Sequence, residues 1–133
     1  MADVLVVDDN EDITECLESL LALEGHRVRL ASNGEQGLAA LTDRLPDLVI
    51  LDVDMPILDG PGMAYRMFVE NCGRQLIPIV LSSAALRLPE IAARVGTPYY
   101  IGKPFDPTEL MRLVTRAHEE RTPPCPHPAG VSP

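Results

Sequence analysis

Apolar residues in this chain fall into two alternating patterns. Short unbroken runs such as Leu5-Val6-Val7 and Leu48-Val49-Ile50-Leu51 are followed by longer stretches with apolar positions three and four apart. The first pattern suits a strand buried on both faces, the second an amphipathic helix. Residues 3–8 predict a strand, and residues 11–24 a helix with Ile13, Leu17, Leu20, Leu21 and Glu24 at helical intervals, closed by Gly25. Asn10 or the acidic pair Asp8-Asp9 is placed to cap it. Residues 27–31 predict a second strand, and Asn33-Gly34 a turn. Residues 34–45 place Leu38, Leu41 and Leu45 on a second helix, which Pro46 ends.

The alternation continues to residue 121. Residues 47–52 predict a third strand, 53–60 a loop with Pro56 and Asp59-Gly60, and 61–71 a third helix opened by Pro61. A fourth strand over 77–82 leads to a weak helix over 88–95, closed by Gly96. Tyr99-Tyr100-Ile101 predicts a short fifth strand, and 107–121 a helix with Leu110, Met111, Val114 and Ala117 inward. Helices joining short buried strands imply right-handed crossovers onto a parallel sheet, hence a doubly wound α/β domain of three layers. Such sheets bind ligands beyond the C-terminal ends of their strands, where the order reverses.

Composition narrows the class. The 133 residues allow one domain, and without Trp its core must be aliphatic. A net charge of -9 argues against direct binding of nucleic acid or an anionic membrane. Cys16, Cys72 and Cys125 are widely spaced and odd in number, which disfavours a disulfide scaffold or structural zinc. Cys16 and Cys72 read as small buried hydrophobes. No spanning segment or signal peptide is visible, so the cytoplasm is the expected location. Residues 122–133 hold too many prolines and too little apolar surface to fold; they read as a disordered end or the start of a linker. His127 there has no partner pattern for a metal.

The candidate chemistry lies at the strand ends. Asp8 and Asp9 close the first strand, Asp52 the third, Ser82-Ser83 the fourth, and Lys103 follows the fifth. Taken singly, these are as readily helix caps, strand terminators or a surface lysine. Together they suit one ligand set. Carboxylates hold Mg2+ or Mn2+, an aspartate attacks phosphorus to give an acyl phosphate, and a lysine and a hydroxyl engage phosphoryl oxygens.

With these residues in place, the chain resembles the receiver domains of bacterial two-component response regulators. The resemblance is carried by Val6-Val7-Asp8-Asp9-Asn10, Asp47-Leu48-Val49-Ile50-Leu51-Asp52, Met55-Pro56, Asp59-Gly60, Pro78-Ile79-Val80-Leu81-Ser82-Ser83-Ala84 and Lys103-Pro104-Phe105. It implies a flavodoxin-like (βα)5 fold with strand order 2-1-3-4-5 and a receiver domain over residues 1–121. It further implies that Asp52 is the phosphoacceptor, that Asp8, Asp9, Asp52 and the backbone carbonyl of Asp54 hold Mg2+, and that Lys103 and Ser83 meet the phosphoryl group. Ser83 is preferred to Ser82 because Ala84 sets the register. Ser83 and Tyr100 would form the switch. A histidine kinase or histidine phosphotransfer protein would be the donor. A downstream protein or effector domain would dock on the face of the fourth helix, fifth strand and fifth helix, which also allows a homodimer.

Some positions depart from the family pattern. Asp54 puts a third carboxylate beside the acceptor, and one expectation is that it changes the phosphoryl lifetime. The segment from Ala84 to Gly96 is slightly shortened, and Leu86, Leu88 and Ile91 either form an apolar patch or pack inward. Thr97-Pro98 follows Gly96 where the family usually has alanine and a polar residue. Two other classes compete: a receiver-like interaction module not switched by phosphate, and a Mg2+-dependent phosphatase with an aspartyl nucleophile. Asp52-Val53-Asp54 imitates the phosphatase pattern, but it stands far from the chain start and lacks the accompanying motifs. A flavin module of this topology would need a hydroxyl-rich loop where Asp8-Asp9-Asn10 stands. Whether the chain is itself an enzyme is left open, since such a domain takes part only in its own phosphorylation and dephosphorylation.

Overall fold

The computed structural model describes residues 2–71 and 77–125. Five strands and five helices alternate: β1 (Asp3–Val7), α1 (Glu11–Leu23), β2 (Arg27–Ala31), α2 (Gly34–Asp43), β3 (Leu48–Asp52), α3 (Gly60–Asn71), β4 (Ile79–Ser83), α4 (Leu88–Val95), β5 (Tyr99–Gly102) and α5 (Pro107–Glu120). All pairings are parallel and the sheet order is β2-β1-β3-β4-β5. The predicted fold class and strand order are therefore those observed. Cys72, His127 and most of the predicted tail lie outside the described residues.

Two aliphatic cores sandwich the sheet. Leu5, Val49 and Leu81 face α2, α3 and α4, whereas Val6, Ile50 and Val80 face α1 and α5. This alternation follows from the two-residue period of a strand. Both faces are covered, which is why β3 and β4 are buried throughout. β2 and β5 are the edge strands and are only partly buried.

Local chemistry sets the helix ends. Asn10 Oδ1 accepts from the backbone N–H groups of Asp12 and Ile13 and so caps α1. Asn33 caps α2 through Gln36 N, and Asp106 caps α5 through Thr108 N. Gly96 ends α4 in the left-handed region (φ 79°), where a side chain would be strained. α3 begins at Gly60, one residue before the expected start, with Asp59 Oδ1 accepting from Gly62 N.

Several sequence expectations are corrected. α2 ends at Asp43, not at residue 45. Arg29 donates to the carbonyls of Ala40 and Arg44, and the Arg44 guanidinium turns back to Asp3 at 2.9 Å. Leu45 consequently lies outside the helix and is exposed. Cys16 is also exposed, because the buried stripe of α1 runs through Thr14, Leu17 and Leu21 and leaves it to one side. Glu24 is the exposed C-cap of that helix. Met111 is half-buried against the α1–α5 core. Of the shortened segment, Leu88 is buried and Ile91 packs against the core, while Leu86 is fully exposed. Thr97 is buried; its hydroxyl donates to Ile79 O at 2.6 Å and accepts from Tyr99 N, tying the start of β5 to β4.

Candidate functional site

Strand order brings the predicted residues to one end of the sheet. β1 and β3 are neighbours, so Asp8 and Asp9 emerge beside Asp52. One carboxylate oxygen from each of the three lies within 4.8 Å of the other two. Asp8 and Asp52 are buried and Asp9 is exposed. Three hard oxygen donors around one point, with the exposed one open to solvent, fit a divalent cation that retains water.

Lys103 spans the site from the far side of β4. Its Nζ donates to Asp8 Oδ2 at 2.6 Å and lies 3.3 Å from Asp52 Oδ1. The other oxygen of Asp8 accepts from Asn10 N at 2.9 Å, which fixes the carboxylate. Burial pushes the Asp52 carboxyl up to about 6, and the negative charge of Asp8 adds to the rise; Lys103 opposes both. Burial works against the Lys103 ammonium, but its hydrogen bond to Asp8 and the charges of Asp8 and Asp52 outweigh it and raise its pKa. Lys103 is thus bonded more closely to Asp8 than to Asp52, a pairing the linear pattern of strand ends gave no reason to expect.

The two serines of β4 occupy opposite faces. Ser82 is the register partner of Asp52 and stands on its face of the sheet. It is buried, and its Oγ has no hydrogen-bond partner among the described residues. Ser83 belongs to the other face; its Oγ accepts from Ala85 N at 3.0 Å, and its carbonyl accepts from Lys103 N. Tyr100 is exposed on β5, and the Asp54 side chain is exposed in the loop after Asp52.

Gly60 backs the acceptor. Its N–H donates to Val53 O at 3.0 Å, and a Cβ at this position would overlap the carbonyl oxygen of Asp52. Residue 60 therefore has to be glycine for α3 to start this close to β3. Asp59-Gly60 was legible as a turn, but its contact with Asp52 was not.

Comparison with known proteins agrees with this geometry. The family model described as "Response regulator receiver domain" matches residues 4–115. The chain is 39% identical over 127 residues to "Probable transcriptional regulator ycf27" of Pyropia yezoensis, covering 90% of this chain and 49% of that protein. It is 40% identical over 113 residues to an "Uncharacterized 14.6 kDa protein in sodA1 3'region" of Leptolyngbya boryana, covering 84% of this chain and 86% of that one. Among solved structures, the receiver domain of NtrX from Brucella abortus superposes with a TM-score of 0.79 at 34% identity, covering 88% of this chain and 98% of that chain. The chain spans about half the length of several of the curated relatives it matches. With the sheet order, the acidic cluster and these similarities taken together, the chain belongs to the response regulator receiver domain family.

Proposed function

We propose that the chain is a phosphorylation switch whose acceptor is Asp52. The observation that carries this reading is the convergence of Asp8, Asp9 and Asp52 on one point with Lys103 in contact. Asp8, Asp9 and Asp52, with the backbone carbonyl of Asp54, would hold Mg2+, which would supply positive charge to offset that of the acceptor carboxylate and the incoming phosphoryl group. An Asp52 carboxylate oxygen attacks phosphorus of a phosphohistidine on a histidine kinase or histidine phosphotransfer protein. The P–N bond breaks, its electron pair stays on the imidazole, and an acyl phosphate forms on Asp52. Lys103 pairs with the phosphoryl oxygens. Ser83 gives up its local hydrogen bond to reach the same group, and Tyr100, now exposed, turns inward. The face of α4, β5 and α5 then changes its binding preference for a downstream protein, an effector domain or a second copy of the chain. Water later cleaves the acyl phosphate and resets the switch.

The described residues contain no helix long and apolar enough to cross a membrane. A cytoplasmic location, where phosphohistidine donors work, fits the proposed exchange. Incubation with acetyl phosphate and Mg2+, followed by intact mass measurement, tests the assignment. Wild type should gain one phosphoryl group and Asp52→Asn none. An equal gain in both would move the acceptor elsewhere, and no gain in wild type even with a phosphohistidine donor would favour an unswitched interaction module.

A further inference from the structure

Ser82 is a buried hydroxyl placed where the lysine must pass. On β4, Val80 packs in the α1–α5 core opposite its register partner Ile50. Two residues on, Ser82 and Asp52 are partners on the same face. On its other side Ser82 pairs with Ile101, which packs against that core too. Lys103 is two residues past Ile101, and its ammonium reaches Asp52 on β3 and Asp8 on β1. Because the order is β1-β3-β4-β5, the lysine side chain has to pass over the C-terminal end of β4, where Ser82 and Ser83 stand.

The hydroxyl there is 2% exposed and unpaired among the described residues. A buried polar group without a partner is destabilising, and alanine at this position would remove the penalty. The ammonium has three N–H donors, and Asp8 and Asp52 account for two directions. Ser83, on the other face and bonded to Ala85 N, is not a substitute.

We propose that Ser82 is a positioning residue for Lys103: its oxygen accepts from the ammonium once a divalent cation draws Asp8 away, and this holds the positive charge over Asp52. The proposal deepens the phosphoacceptor reading and rests on it. Without such a hold, a lysine released from Asp8 would have Asp52 as its one remaining partner in the site, and that partner changes shape and charge on phosphorylation.

The test uses the full chain with Ser82→Ala and Ser82→Thr. The first readout is the Lys103 ammonium resonance in nitrogen-15 NMR, with saturating Mg2+ and no phosphodonor. The second is the rate of phosphoryl uptake from acetyl phosphate. Ser82→Ala should move the resonance, slow uptake about 5-fold, the scale of one lost hydrogen bond, and weaken Mg2+ binding by a similar factor, because the bond is made only with the cation bound. Ser82→Thr should keep the wild-type resonance. An alanine variant that matches wild type in both readouts overturns the proposal. Slower uptake with a lowered melting temperature and an unmoved resonance is a packing effect and overturns it as well. If wild type takes up no phosphoryl group, the acceptor reading fails, and the resonance by itself decides the role of Ser82.

Discussion

Lys103 Nζ donates to Asp8 Oδ2 at 2.6 Å across 95 residues of sequence. Both side chains are largely buried, so each is the main compensation for the other. Breaking a buried pair by removing one partner is strongly destabilising. Lys103→Met should therefore lower the stability of the metal-free protein by roughly 3 kcal/mol. The same change should raise Mg2+ affinity several-fold, because a competing positive charge leaves the cluster. Urea unfolding in chelator and calorimetric Mg2+ titration check the two effects. An unchanged affinity would mean that the lysine and the cation do not compete.

Asp52 has a pKa raised to about 6, by burial first and by Asp8 second. The unfolded value is near 3.8, so between the two the folded chain holds a proton that the unfolded chain has released. Stability linked to that proton is complete below the unfolded pKa and is lost as pH rises through the folded one. Metal-free protein should lose stability from this group between 3.8 and about 6. Asp52→Asn should flatten that part of the profile and melt higher than wild type at neutral pH. Thermal melts across this range in chelator measure it, and a variant that melts lower at neutral pH would contradict the sign.

Gly60→Ala should damage the site through the backbone. The added Cβ would meet the Asp52 carbonyl oxygen, which lies in a buried strand and cannot yield cheaply. A loss of about 2 kcal/mol or more is expected, in the range of overpacked cores. Phosphoryl uptake should fall at temperatures where the variant is still folded. Full uptake by a folded variant would show that α3 can back away without moving Asp52.

Thr97 anchors β5 to β4. Thr97→Val keeps the shape but removes the donor to Ile79 O and the acceptor for Tyr99 N. Losing these two hydrogen bonds where β5 begins should cost about 1 kcal/mol. Denaturant unfolding would show it as a lowered midpoint with an unchanged slope.

Asp54 is exposed two residues beyond the acceptor. A carboxylate there is free to orient attacking water, and Asp54→Ala is expected to lengthen the phospho-Asp52 half-life about 3-fold, a small effect of the size typical for one exposed charge. Following the decay of the phosphorylated mass after removal of donor decides it. An unchanged half-life would leave Asp54 as a solvated loop residue.

The fold was readable because its signals are local. Val4 to Val7 and Leu48 to Leu51 are too continuously apolar to be edge strands, and Gly25, Gly96 and the cap at Asn10 stop and start helices within a residue or two. The misplacements are of another kind. Leu45 fits the helical period, yet α2 stops at Asp43, where Arg29 of β2 donates to the carbonyls of Ala40 in the last turn and of Arg44 just beyond it. Cys16 fits it too, but periodicity defines a stripe only within a broad arc, and packing selects its centre.

By itself the sequence determined the five strand–helix units, the sheet buried on both faces, and the set of carboxylates, hydroxyls and lysine at strand ends. Those follow from periodicity and from short-range chemistry. Which groups touch was decided only in three dimensions. The Lys103–Asp8 bond, the raised pKa of Asp52, the closeness of Gly60 to the Asp52 carbonyl, and the separation of Ser82 and Ser83 onto opposite faces all depend on strand order and register. Order and register are properties of pairing between distant segments, and a one-residue shift of β4 against β3 would exchange the two serines.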